Sequence, residues 1–131
     1  MQIHDLTMAY GSFVIQHDLT FTIRRGDIFV IMGGSGCGKS TLLKCLIGLK
    51  APAKGEVLFD KHSLWHVEPQ ERERMMRRFG ILYQKGALWT SLTLAENVAL
   101  PLEQYTTLSR GQIRELTSLK LALVEIGRAH V

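Results

Sequence analysis

At 131 residues the chain has room for one domain. A hydrophobic share of 46% against 21% charged residues is a globular balance and excludes the disordered and fibrous classes. Sixteen Lys and Arg against twelve Asp and Glu leave a net charge of +4, too small a surplus to identify an anionic partner by itself.

No apolar run approaches the ~20 residues of a membrane helix, and the opening MQIHDLTMAYG lacks a basic stretch followed by an apolar one. The expectation is a protein neither secreted nor membrane-spanning. Cys37 and Cys45 would lie about 12 Å apart on one helix, beyond disulfide reach, and reducing cytosol is the compartment that suits them.

In chain order, IHDLTMAY and the alternation of Leu19, Phe21 and Ile23 with Thr20, Thr22 and Arg24 predict two strands joined by GSFVIQHD. After the turn RRGD, residues 28–32 (IFVIM) form an uninterrupted apolar run. Such a run predicts a strand buried on both faces, as in a parallel sheet covered by helices. A helix is expected over residues 39–49, with Leu42, Leu43, Leu46, Ile47 and Leu49 at helical spacing and Gly48 and Pro52 marking its end. GEVLFD reads as a short strand, residues 69–78 as a charged helix and FGILYQ as a further strand.

Two capping boxes follow, Thr93 with Glu96 and Ser109 with Gln112. The first opens a helix that Pro101 is expected to stop. The second opens a last helix carrying Ile113, Leu116, Lys120, Leu123 and Val124 on one face. Strands alternating with helices predict an α/β sheet.

Two clusters read as ordinary surface. Arg72, Arg74, Arg77 and Arg78 are interleaved with Glu68, Glu71 and Glu73, the pattern of a solvated helix face and not of a nucleic-acid footprint. His62 and His66 share the i, i+4 spacing of a zinc pair but lie in DKHSLWHVEP, between a strand and a helix, with no third ligand nearby.

The chemistry concentrates between the apolar run and the first long helix. GGSGCGKST, residues 33–41, matches GxxxxGK followed by Ser or Thr at Gly33, Gly38, Lys39 and Ser40. Gly33, Gly34, Gly36 and Gly38 let the backbone, with Ser35 and Cys37 between them, turn its amides inward as an anion nest at a helix N-terminus. Lys39 then reaches the β and γ phosphates of a nucleotide, the Ser40 hydroxyl is placed to ligate Mg2+, and Thr41 completes the loop. A dinucleotide fingerprint fails, since its third glycine would fall at Thr41. Cys37 reads as a small residue pointing away from phosphate.

Tyr10 ahead of this loop, and Gln84 closing FGILYQ after it, resemble the ATP-binding subunit of an ABC transporter. That resemblance implies an ATPase in its full-length form, with Tyr10 stacking on the adenine of ATP and Gln84 touching Mg2+ and the attacking water. Lys39 and Gln84 would be the catalytic pair. IMGGSGCGKSTLLKCLIGL, LYQKGALWTSLTLAENVALPLE and LSRGQIRELTSLKLALV together resemble the Mla-type ATPases of lipid transport, which work with a membrane permease and, through it, an MCE-type lipid-binding protein. The implied partners are the permease and a second copy of the ATPase as a homodimer, with no nucleic acid. The implied location is cytoplasmic, peripheral on the inner membrane. An ATPase for another cargo, or a soluble one acting on nucleic acid or ribosomes, stays open as an alternative. Cys45 and Gln104 depart from the family's usual basic or aromatic residues.

The expected fold is therefore an α/β P-loop NTPase core of the ABC ATPase type with an N-terminal antiparallel β subdomain, spanning residues 1–124 and truncated before the signature and Walker B regions. LSRGQ at residues 108–112 resembles the signature LSGGQ but begins only 24 residues past Gln84; the capping box accounts for Ser109 and Gln112. Residues 125–131, EIGRAHV, match the translation of a common sequencing adapter and are expected to be non-native, with a genuine terminus as the alternative.

Overall fold

The computed structural model describes residues 1–84 and 86–124. The adapter reading of residues 125–131 lies outside the described residues. Two units are distinct, Met1–Ile81 and a second that begins at Leu82.

The first unit is built on a hairpin. Strand β1, Gln2–Tyr10, turns into β2, Phe13–Thr22, through a two-residue loop of Gly11 and Ser12. The stretch expected to be a connector is thus largely strand, because its Phe13, Val14 and Ile15 suit a pleated surface and the tight loop sets Tyr10 opposite Phe13. Strand β3, Lys54–Phe59, pairs antiparallel with the other edge of β1, and β4, His62–Ser63, adds a short edge. The order is β2-β1-β3-β4, the antiparallel subdomain that the sequence predicts.

Strand β1 is not regular. Between Ile3 and Leu6 it carries one residue more than either neighbour, since Ile3 faces Phe21 and Val57 whereas Leu6 faces Leu19 and Thr7 faces Lys54. The extra residue is accommodated at Asp5, whose φ of 47° is left-handed. Thr20 Oγ1 accepts from the Asp5 amide at 3.0 Å and donates to Asp5 Oδ1 at 3.1 Å, securing the bulge. Across the sheet, Gly55 has φ 86° and presses against the carbonyls of His4 and Asp5, so that any side chain there would run into backbone.

Helix α1, Lys39–Leu46, lays Leu42, Cys45 and Leu46 into a core shared with Ile3, Leu6, Met8 and Val57 of the sheet. Leu64 and Met75 close it, the latter from α2, Pro69–Met76, which has Pro at its first turn. Burying each such aliphatic side chain contributes roughly 1.5–3 kcal/mol, and these contacts hold α1 on the sheet. The helix stops sooner than expected. Beyond its cap at Ile47 the amides of Leu49 and Lys50 both donate to Lys44 O, at 2.9 and 3.1 Å, as the chain turns away. Trp65 Nε1 donates to Cys45 O at 3.2 Å and ties the segment after β4 to the end of α1.

Two expected strands are not formed. Residues 28–32 and 79–84 carry no strand pairing among the described residues, so the strands expected there, and the parallel pairing expected of the first, are corrected. A strand is defined by its neighbours' hydrogen bonds, and an apolar run supplies only the demand for them. In residues 28–32 one side is nonetheless settled: Phe29 stacks on Phe21 with ring centroids 5.1 Å apart, and Ile31 packs on the core. The other side is open, with Ile28, Val30 and Met32 exposed to 95%, 67% and 84%.

The second unit holds α3, Leu94–Tyr105, and α4, Arg110–Leu123, packed on each other. Ile113 and Thr117 are its buried residues on α4, while Lys120, Leu123 and Val124 of the expected face are exposed. Pro101 does not stop α3. A proline within a helix removes one bond of the ladder, and the residues beyond it continue until the Thr106 amide donates to Leu102 O at 3.1 Å.

Candidate functional site

The phosphate loop joins residues 28–32 to α1. Gly38 caps the helix in a left-handed conformation, φ 97° and ψ 5°, without any side-chain cap. The first bond inside the helix runs from the Leu42 amide to Gly38 O at 2.8 Å. The amides of Lys39, Ser40 and Thr41 therefore have no partner within the helix, and the dipole adds partial positive charge at the same point. No acidic residue lies in that first turn to compete. Gly34 and Gly36 have open space where a side chain would stand.

Lys39 crosses the mouth of the loop. Its ammonium donates to Gly33 O at 2.7 Å and Gly34 O at 2.6 Å, with Cys37 Sγ at 3.6 Å. These ties hold a full positive charge beside the free amides and keep the long side chain from dispersing into solvent. Ser40 is exposed on the first turn and offers a hard oxygen donor, whereas the side chain of Thr41 is buried, so that only its amide is left to face the loop. Ser35 is exposed and Cys37 partly buried. Cys45 is fully buried, and burial pushes its thiol above the ordinary range, opposed by the Lys50 charge. A cavity of about 180 Å³ runs alongside the loop, between Cys37 and Lys39 on one side and Met8, Gln16 and Ile31 on the other.

Tyr10 ends β1 in the same unit and is 52% exposed. One face of its ring carries the Lys50 ammonium, 4.3 Å from the centroid. This contact of Lys50 is one that sequence reasoning misses, because nothing local relates it to a tyrosine forty positions earlier. Gln84 belongs to the second unit, where it is exposed in a turn closed by the Gly86 amide donating to Tyr83 O at 3.1 Å.

Asn97 is a second omission. Its carboxamide donates to the carbonyls of Trp89, Leu92 and Thr93 and accepts from the Trp89 amide at 2.8 Å, fastening the loop after Gln84 to α3. An Asn one position past a capping box is the available signal. That box is complete: the Glu96 carboxylate accepts from the Thr93 amide at 2.7 Å, and the bonds with Thr93 hold its pKa below the ordinary carboxylate range.

The arginines of α2 are engaged close to home. Arg77 pairs with Glu73 at 2.8 Å and Arg78 with Asp60 at 2.8 Å, Arg74 lies 3.5 Å from Glu71, and Arg72 sits over the Trp65 ring. His66 Nδ1 contacts both Ser63 Oγ, at 3.0 Å, and Glu56, at 3.5 Å. Both contacts use the same nitrogen, so the three residues form no proton relay of the Ser-His-acid kind. Among the described residues no cluster of metal-ligating side chains occurs.

A glycine loop with its lysine at the N-terminus of a helix, docked on an antiparallel sheet, defines a nucleotide-type phosphate-binding fold. Comparison with known proteins makes this specific. The sequence model of the ABC transporter family matches residues 16–129. The chain is 39% identical over 127 residues to a Mycobacterium tuberculosis protein named "Probable ribonucleotide transport ATP-binding protein mkl", covering 97% of this chain and 35% of that one. It is 37% identical over 124 residues to the intermembrane phospholipid transport system ATP-binding protein MlaF of Haemophilus influenzae, covering 95% and 47%. A dimeric structure of the ATP-binding cassette MJ0796 with ADP and Pi superposes with a TM-score of 0.84 at 29% identity, over 95% of this chain and 56% of that one. The chain belongs to the ABC transporter family, and its fold is that of part of an ABC ATPase cassette. It spans about half or less of the length of the curated relatives it matches.

Within that family LSRGQ demands a decision, and the geometry favours a cap. Ser109 Oγ accepts from the Gln112 amide at 3.4 Å, while Gln112 Oε1 accepts from the Ser109 amide at 2.9 Å and from its hydroxyl at 3.0 Å. In a complete cassette, Ser109→Ala is expected to lower stability by about 1 kcal/mol and leave ATP turnover near wild type at a permissive temperature. A large fall in turnover with an unchanged melting temperature would instead make Ser109 a signature serine.

Proposed function

We propose that this chain is the N-terminal half of the ATP-binding subunit of an ABC transporter that hydrolyses ATP to drive phospholipid through a membrane permease. The observation that carries the reading is the Lys39 ammonium tied across the loop beside three helix amides without intrahelical partners. In this reading the loop amides and Lys39 bind the β and γ phosphates, and the exposed Tyr10 ring receives the adenine. Ser40 would offer Mg2+ an oxygen donor that suits a hard cation, and the family resemblance assigns Gln84 to the attacking water and the same ion. When bound, the ion neutralises phosphate charge; the chain's own residues supply position and electrostatic stabilisation, which is most of what phosphoryl transfer requires.

A second copy of the subunit would complete each site, the permease would dock on the loop that Asn97 fastens, and an MCE-type lipid-binding protein would act through the permease. The working place is the cytoplasmic face of the inner membrane; among the described residues no helix is long and apolar enough to cross a membrane. The self-paired arginines of α2 are the reason for preferring a permease to nucleic acid. Phospholipid as cargo rests on the MlaF likeness and on the segments GAL and ENVALPL, while the mkl likeness favours a nucleotide cargo as the second reading.

The test reconstitutes the complete cassette with its permease in liposomes and follows a fluorescent phospholipid and a radiolabelled ribonucleotide. ATP-dependent movement of the lipid alone is expected. Movement of the nucleotide alone would overturn the cargo, and no hydrolysis under any condition would overturn the whole reading.

A further inference from the structure

Lys50 sits just past the turn that ends α1, where its own amide and that of Leu49 are both held by Lys44 O. Its backbone is thereby fixed while the side chain is only partly buried. The ammonium is 4.3 Å from the centroid of Tyr10, within the range in which a cation is attracted by the ring face. Among the described residues no carboxylate pairs with Lys50, so no ion pair draws the ammonium away from the ring. Tyr10, for its part, ends a strand beside a hairpin loop and is half exposed. A contact on one face restricts the orientations open to such a ring.

We propose that Lys50 is a positioning residue for the nucleotide base: it holds the Tyr10 ring from one face and leaves the other presented for stacking. This rests on the reading of Tyr10 as the adenine platform. A cation on one face orders the ring before the base arrives, so the base pays less of the ordering entropy on binding. Stacking a base on an aromatic ring needs only the free face. The two contacts are thus compatible, and the ammonium is not a competitor that adenine must expel. The phosphate loop lies at the opposite end of α1 from Lys50, which separates base positioning from phosphate binding.

That separation supplies the test. The complete cassette is titrated calorimetrically with ATP and, in parallel, with inorganic tripolyphosphate, which has no base. Lys50→Met is expected to weaken ATP about two- to five-fold and leave tripolyphosphate unchanged, and Lys50→Arg, which keeps a cation over the ring, to restore ATP affinity. Unchanged or tighter ATP binding in Lys50→Met, an equal loss for both ligands, or no rescue by Arg would overturn the proposal. Tyr10→Ala is the control for the underlying reading. If it weakens ATP but not tripolyphosphate while Lys50→Met does nothing, the platform stands and the role of Lys50 falls; if Tyr10→Ala also does nothing, both fall.

Discussion

Lys39→Ala is expected to weaken ATP binding to the complete cassette by about 100-fold or more, whereas Gln84→Ala is expected to leave binding nearly intact and lower turnover. The first magnitude follows from charge. Hydrogen bonds to charged groups contribute about 1.5–3 kcal/mol each, and an ammonium serving two phosphates would lose at least two, hence two decades or more in affinity. The loop itself should survive, because the bonds from Lys39 to Gly33 and Gly34 are solvent-exposed and exposed substitutions usually shift stability within about 0.5 kcal/mol. Gln84 lies outside the loop and is proposed to act on the water, so its loss should appear in kcat and not in ground-state affinity. Equilibrium binding of a fluorescent ATP analogue, beside steady-state hydrolysis, checks both variants. Equal loss of binding in the two would end this division of roles.

Residues 1–131 expressed alone are expected to self-associate into oligomers or insoluble material, with MgATP rescuing little. Ile28, Val30 and Met32 are exposed in a segment whose backbone has no strand partner among the described residues. Covering such side chains is worth roughly 1.5–3 kcal/mol apiece, and an apolar edge of this kind templates pairing with another chain. Val30→Lys places a charge at its centre, away from the Phe21–Phe29 stack, and should shift the distribution toward monomer. Size exclusion with light scattering decides it; a monomer with a cooperative thermal transition in the unmodified chain would refute the expectation.

What could be read from the sequence was what is local. The phosphate loop is a nine-residue pattern whose spacing is that of a phosphate-binding motif, and both capping boxes are four-residue patterns found in place. Pairing is different. GSFVIQHD resembled a connector because its alternation is blurred, at Asp18 among others, where a left-handed φ of 54° breaks the strand's phase. IFVIM announced its need for cover without showing what would meet it. Pro101 misled because a single lost backbone bond does not outweigh a helix held by its neighbour α4. Lys50 was silent, since a cation and a ring forty positions apart meet only after the sheet and α1 have packed.

The bulge at Asp5 aims Tyr10. Side chains on a strand alternate, so Ile3 and Leu6 could not share an inward side without the extra residue between them; with it, Ile3, Leu6 and Met8 are all buried, and Tyr10, two positions past Met8, follows on the side of α1 and meets Lys50. The bearing of the Tyr10 ring is thus decided at the far end of its own strand, by one left-handed aspartate, the threonine that fastens it and the bare glycine that makes room across the sheet. Shortening the chain by one residue between Ile3 and Leu6 would reverse every later position of β1 and turn Tyr10 away from Lys50, although neither Tyr10 nor Lys50 had been altered.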